Sequence, residues 1–533
     1  MNIIKNTSVT IFFIFLMITS NLSAQLEITR ITEEASSDLI LYSQAFGRTT
    51  YLVNKCGEII NQWDHPSRSG YTARLMDDGN LIRAEYVDFG CCDQTSRGGR
   101  IQILDWDQTV IWDLLVAKDD ETHHHDYVIM PSGNIMFLGW ERLDRTEMDE
   151  LGIINGPNEL WAEFIREVKP VGQNDYELVW EWNIKYHLIQ DINPDVPNYR
   201  ESIEDHLGKI NPHHRNQPTE GKWHVNAIEY DPVKDEVMIN SRDNREFWII
   251  DHSTTIEEAK TDFGGNAGKG GQVIFRWGNP LAYGRGSVDD INMFGSHGLT
   301  IIPPGERNEG YIMFFNNDQS APGVGNFSTV ELIKPLVDAD GDYVLSADST
   351  YMLEDHKIVY GGNQATEPLF SRFMSNAEQL PEGYLILEGS RGRIFTINDD
   401  NEVTWQLNSR FYLDDVFRAY SYPLDFVGFE DRDLSPKSTQ FFADNFEICT
   451  ELSSTDEIAK SYNITPNPFT EYIDIELTEK SQVLLHSSDQ VLMQTKILGA
   501  GSNRINLEAL SAGFYFLTIE NETGLVTEKI VKL

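Results

Sequence analysis

The sequence predicts an all-β protein: a six-bladed β-propeller followed by a small C-terminal β-sandwich of immunoglobulin-like type. Three observations carry that expectation. A hairpin recurs in which a Gly-led strand is followed by a strand ending in Trp, and Gly99 to Trp112 and Gly392 to Trp405 are both steps of 13 residues with polar turns between. Fainter copies end at Trp63, Trp182 and Trp277. Most copies are followed by a second hairpin with a short polar turn, as at Asp77-Asp78-Gly79-Asn80, Pro131-Ser132-Gly133-Asn134, Asp231-Pro232-Val233-Lys234, Pro303-Pro304-Gly305 and Pro381-Glu382-Gly383. Finally, a polar stretch at 450–462 separates these repeats from a last segment of different character. Four-stranded units recurring every roughly 40 to 75 residues, with Gly and aromatics at fixed places, are the signature of a propeller. Starts near residues 51, 100, 162, 246, 328 and 391 give six blades. A pair of β-sandwiches is the competing architecture, and the hairpin recurs too many times for two.

Composition agrees. A chain of 533 residues exceeds one small core, unless it is a repeat architecture that runs long as one unit. Forty-two basic against 84 acidic side chains give a formal charge of −42, which excludes nucleic acid as a partner because phosphate backbones need a basic footprint. The 40% apolar residues, 39 Gly and 20 Pro fit an ordered, turn-rich β protein.

Residues 1–24 have the pattern of a secretory signal peptide: Lys5, an apolar core TIFFIFLMIT at 10–19, and Leu22-Ser23-Ala24 before the cleavage point. No later run approaches the ~20 apolar residues of a transmembrane helix. The propeller is expected over 25–449, the linker over 450–462 and the small domain over 463–533. Four cysteines, Cys56, Cys91, Cys92 and Cys449, match no zinc spacing and allow three pairings. A Cys56–Cys449 bond would close the longest loop and restrict the unfolded chain most.

The stretch WHVNAIEYDPVKDEVMINSRDNREFWIID at 223–251 reads as two strands joined by a turn. Period-two alternation puts His224 and Asn226 on one face, and the second strand returns Arg242 to the same end. An imidazole, an amide and a guanidinium brought together suit an anionic group. In a propeller the strand before the second-hairpin turn lines the central channel, so residues at its start gather at one mouth. That place holds His123-His124-His125-Asp126, then His224 and Asn226, then Ser296-His297-Gly298, then Ser375-Asn376-Ala377. The chain has just 13 His, and three successive units carry them at equivalent places.

These residues resemble the bacterial aryl-sulfate sulfotransferases, six-bladed propellers working outside the cytoplasm. The resemblance covers roughly residues 45 to 450. It rests on His124-His125-Asp126 before the Pro-Ser-Gly-Asn turn, on His224-x-Asn226, on Ser241-Arg242, on His297, and on the segments from Ser375 to Gly383 and Gly392 to Trp405. The resemblance implies ping-pong transfer of a sulfuryl group from an aryl sulfate ester to a phenol through a sulfohistidine, with no nucleotide donor, cofactor or metal. Sulfuryl transfer builds charge on non-bridging oxygens and on the leaving phenolate, much as phosphoryl transfer does. His297 would be the nucleophile. Arg242, His224 and Asn226 would hold the sulfuryl oxygens, and His125 or His124 would contact that group or protonate the leaving oxygen. Alternation allows one of that adjacent pair to face the channel with the donors. The sequence departs from the family at Gly298, where an acidic or polar residue is usual, and at FFNND, which follows that strand in place of Asp-Asn-Gly.

Two further segments offer a functional and a structural reading. Arg276, Trp277, Tyr283 and Arg285 form a loop that could stack on an aryl ring over the mouth or simply pack. Asp338-Ala339-Asp340-Gly341-Asp342 resembles the start of a calcium loop, but 349 is Ser and the expected Glu is absent, so an Asp-rich hairpin turn is the better reading.

The last segment, with TPNPF at 465–469, LSAGFYFL at 510–517 and a final strand ending Lys532-Leu533, closely resembles the C-terminal sorting domain of type IX secretion cargo. The resemblance implies partnership with that machinery, passage across the outer membrane, and removal of the tail, with release or surface attachment. The alternative to the enzyme is a non-catalytic secreted propeller that binds carbohydrate or a surface partner. A quinoprotein dehydrogenase would call for eight blades and a calcium site.

Overall fold

The computed structural model describes residues 26–88, 98–118, 120–154, 156–214, 223–321, 325–363, 365–409, 415–439, 442–443, 449, 462–466, 468–478, 480–487, 492–521 and 524–533. The expected signal peptide, Cys91, Cys92 and residues 450–461 of the expected linker lie outside the described residues. The chain divides into two compact units, 1–446 and 447–533.

The first unit is built of six sheets, antiparallel throughout except where Leu26–Ile31 pairs in parallel with Phe442–Ala443. Their innermost strands are Val416–Tyr422 in blade 1, Ser69–Leu75 in blade 2, Glu121–Ile129 in blade 3, Val225–Asp231 in blade 4, His297–Ile301 in blade 5 and Asn376–Gln379 in blade 6. Each innermost strand touches the next, and blade 6 touches blade 1, so the six close into a ring. The polar turns foreseen at 77–80, 131–134, 231–234, 303–305 and 381–383 all lie between the first and second strands of their blades.

Closure uses both ends of the unit. Val416–Tyr422, which follows the last repeat, becomes the inner strand of blade 1 by pairing with Leu39–Gln44 (Leu39 opposite Tyr422). Leu26–Ile31 pairs outside blade 6 on Val403–Ser409. Each terminal strand would otherwise present an unpaired edge.

The recurrent Trp has a structural reason. Indole Nε1 of Trp63, in blade 1, donates to Asp105 O of blade 2 at 2.9 Å. Trp112 of blade 2 donates to Asp175 O of blade 3 at 3.0 Å, Trp182 of blade 3 to Gly271 O beside the outer strand of blade 4 at 2.7 Å, and Trp405 of blade 6 to Lys55 O of blade 1 at 2.7 Å. The ring of each is buried between neighbouring sheets. In these four blades one residue therefore supplies apolar area and latches the blade to the next.

Cys56 and Cys449 are both disulfide-bonded. Asp338 closes a turn, its carboxylate accepting from the Asp340 and Asp342 amides at 2.9 and 3.0 Å. The C-terminal unit is a two-sheet sandwich of three and four strands. Its core joins Phe469, Ile473, Ile475, Val483, Leu517 and Ile530. No helix of the described residues is long and apolar enough to cross a membrane.

Candidate functional site

The inner strands enter the channel through backbone that L-residues seldom adopt. Tyr71 (φ 94°), His125 (53°), His224 (47°), Gly298 (63°) and Ser375 (90°) occupy the left-handed region at the same end of five neighbouring inner strands. Pairing slips beside four of them, between Ser69 and Ala73, opposite the step from Phe137 to Gly139, between Val225 and Ala227, and between His297 and Thr300. Such irregularities re-aim side chains next to functional sites, and the non-Gly positions cost of order 1–3 kcal/mol each.

His297 is the most constrained of the candidates. Its Nδ1 lies 2.9 Å from Gly295 O and 2.8 Å from Asn317 Oδ1. The Asn317 amide cannot turn round, because its Nδ2 donates to Ser371 O at 3.0 Å and Met374 O at 2.8 Å. Two oxygen acceptors place the ring proton on Nδ1 and leave the lone pair on Nε2, which no hydrogen bond among the described residues engages. Burial, then the Arg242 and Arg418 charges, hold this imidazole well below its ordinary value, against the smaller pull of Asn317. It is neutral at physiological pH.

His124 and His125 part company. His125 faces the channel: its ring centroid is 5.0 Å from that of His224, and it stacks on Tyr71 at 5.7 Å. His124 turns back into blade 3, stacked on Trp140 at 4.2 Å, with Nε2 2.9 Å from Glu163 Oε2. The two Nδ1 atoms are 2.8 Å apart. Burial and the neighbouring His224, His124, His297 and Arg418 hold His125 well below the usual imidazole range, while burial chiefly brings His224 to about 4 despite Asp243. His123 lies between blades 2 and 3 against Phe137.

The slip after Val225 breaks the alternation that would have paired His224 with Asn226. His224 reaches the channel, whereas Asn226 is fully buried toward blade 5, its Nδ2 donating to Ser296 O at 2.9 Å and its Oδ1 accepting from Asn240 Nδ2 at 2.7 Å. Arg242 is part exposed at the mouth, bonded to Asp243 at 3.2 Å. Arg276, by contrast, is on the outer strand Val273–Trp277, fully buried against Glu246 at 2.5 Å, with Tyr283 beneath it at 4.6 Å. Its role there is packing, and it does not cover the mouth.

Several channel residues had no motif to announce them. Arg418 crosses the ring from blade 1, donating to Ser375 O of blade 6 at 2.9 Å and Asn226 O of blade 4 at 3.2 Å, and lies 3.5 Å from Asp126 of blade 3. Tyr71 and Phe417 stack at 4.5 Å beside His125. An arginine among β-branched and aromatic neighbours on an inner strand was the available signal for Arg418. The site thus combines a neutral imidazole lone pair, two guanidinium groups and two further imidazoles, suited to attack on an electrophile carrying anionic oxygens. Among the described residues no set of three His, Cys, Asp or Glu side chains could hold a metal ion.

Comparison with known proteins assigns the C-terminal unit. Residues 463–533 match the family described as secretion system C-terminal sorting domain. That tail implies export through the type IX secretion machinery to the cell surface or beyond. No curated protein matches the chain. Among solved structures, the chain is similar to a protein of unknown function from Bacteroides caccae, at 10% identity and a TM-score of 0.41, covering 72% of this chain and 99% of that one. It is similar to a putative 6-phosphogluconolactonase from Bacteroides fragilis at 9% identity and TM-score 0.33, covering 73% and 99%. It is also similar to PorZ, a surface component of the type IX secretion system of Porphyromonas gingivalis, at 9% identity and TM-score 0.19, covering 92% and 74%.

Proposed function

We propose that the channel mouth transfers a sulfuryl group from an aryl sulfate ester to a phenolic acceptor through a sulfohistidine at His297. One observation carries the reading: the Asn317 amide, locked by the Ser371 and Met374 carbonyls, holds the His297 proton on Nδ1 and presents Nε2 as a lone pair. In the first half-reaction that lone pair forms the N–S bond as the bond from sulfur to the aryl oxygen breaks. Arg242 and Arg418, the cations that act on His297, stabilise the charge on the sulfuryl oxygens. His224 supplies a further polar contact, and His125, the member of the adjacent pair that faces the channel, serves the aryl oxygen. Asn226 acts through the scaffold, as its amide is spent on Ser296 and Asn240. In the second half-reaction a phenol oxygen attacks the same sulfur and frees the imidazole.

The test is acceptor-dependent release of phenolate from a chromogenic aryl sulfate by the purified protein, beside His297→Ala. Release lost in the variant supports the reading. Release that persists moves the nucleophile, and no release from the wild type across several aryl sulfates turns the assignment toward a binding propeller.

A further inference from the structure

Glu163 stands outside every motif of the site, on the strand Glu159–Val171, third in blade 3, and is almost wholly buried. Its Oε1 accepts from the Val225 amide of blade 4 at 3.0 Å, and its Oε2 is 2.9 Å from His124 Nε2. His124 Nδ1 in turn is 2.8 Å from His125 Nδ1. A carboxylate, two imidazoles and the channel are thus joined in one hydrogen-bonded line. Its members come from two strands of blade 3, and His123, His224, His297 and the Arg418 guanidinium are among the titratable and charged groups that act on it.

We infer that Glu163 and His124 are positioning residues that form a proton relay behind His125, delivering a proton to the leaving phenolate and recovering it from the acceptor phenol. The inference rests on the sulfotransferase reading. A bridge between two Nδ1 atoms holds one proton, so the line has two arrangements. In the loaded one, Glu163 is ionised, His124 carries protons on both nitrogens, and His125 carries its proton on Nε2, facing the aryl oxygen. As the bond from sulfur to oxygen breaks, the oxygen takes the electron pair and the His125 Nε2 proton, and the His124 Nδ1 proton crosses to His125 Nδ1. The line is then unloaded: both imidazoles are neutral, His124 donates to Glu163, and His125 shows a lone pair to the channel. The acceptor phenol gives its proton to that lone pair and the shifts reverse. His125 is never a cation in either arrangement, in keeping with a burial and neighbouring charges that disfavour its protonated form. In the loaded arrangement the positive charge is on His124, beside the Glu163 carboxylate; in the unloaded one the line carries no imidazolium.

The relay matters in proportion to the basicity of the leaving oxygen. The experiment measures kcat/KM for the donor with full-length wild type and Glu163→Gln, using phenyl sulfate, whose phenol is weakly acidic, and 4-nitrophenyl sulfate, whose phenolate leaves unassisted. Glutamine keeps an oxygen for the Val225 amide but offers His124 a donor, which reverses both tautomers. We expect a fall of about a hundredfold with phenyl sulfate and near wild-type values with 4-nitrophenyl sulfate. An equal fall for both donors, or none for either, overturns the relay while the sulfotransferase reading stands. Failure of the wild type on both donors removes that reading and the relay with it. Should Glu163→Gln not fold, the wild type decides the matter: the solvent isotope effect on phenyl sulfate turnover should bow with deuterium fraction as two protons move, and a linear dependence overturns the relay.

Discussion

Gly298 packs on Asn376 with no room for a side chain. A β-carbon at Gly298 would stand 2.8 Å from Asn376 Cβ and 2.9 Å from its Cα, and the residue has φ +63°. This glycine, which departs from the sulfotransferase pattern that the sequence resembles, is therefore the residue that lets blade 5 approach blade 6 immediately after His297. Gly298→Ala should lose about 2 kcal/mol or more from left-handed backbone and contact with main-chain atoms. It should also slow the proposed transfer by about a hundredfold if His297 moves by an ångström. Thermal unfolding and kcat/KM on one preparation check both.

Acid should leave the first half-reaction intact well below the ordinary histidine range. His297 and His125 are held well below 6.5, and His224 near 4, so these imidazoles stay neutral until the pH falls through those depressed values. The kcat/KM for 4-nitrophenyl sulfate, which needs no proton from the relay, should be flat from about pH 8 to about pH 5. An acid limb centred near the unperturbed histidine value of about 6.5 would contradict the buried, cation-flanked setting.

A second histidine has the opposite sign. His252 joins blades 3 and 4, with Nδ1 2.6 Å from Asp235 Oδ1 and Nε2 3.0 Å from Glu167 Oε2. Burial opposes its charge, but the hydrogen bonds to Glu167 and then Asp235 outweigh burial and raise it above its ordinary value. A raised pKa in the folded state contributes stability that is fully present below the unfolded value of about 6.5 and is lost as pH rises through the folded value. His252→Gln should cost about 1–3 kcal/mol in urea unfolding at pH 6 and less at pH 9. A larger cost at pH 9 would contradict the pairing.

The sequence carried the blade count, because the Trp latch and the polar first turn each do the same physical job in successive sheets and so recur at readable spacing. It also placed His224, His297 and the pair His124-His125 at the start of the inner strands, because their position relative to those turns is periodic. It could not carry what strand irregularities decide. The slip after Val225 sends Asn226 into the wall, and the fold at His125 sends His124 to Glu163, where simple alternation left the pair undecided. Arg418 escaped notice because the inner strand of blade 1 comes from the far end of the unit, after the last repeat. Asn317 and Glu163 act from second and third strands, where one buried polar residue makes no pattern. Arg276 was legible as a residue of interest, but the Glu246 that buries it lies 30 positions earlier.

The central claim is a covalent intermediate on one nitrogen, and the most direct measurement is the mass of the peptide containing His297 after the full-length protein meets an aryl sulfate without acceptor and is quenched in alkali. The account predicts a single added sulfuryl group on His297, discharged by a phenol added before the quench and absent from Asn317→Leu, which removes the oxygen that orients the ring. An unmodified His297 in protein that is turning over the ester, or a sulfuryl group on His125 or His224 instead, would contradict it.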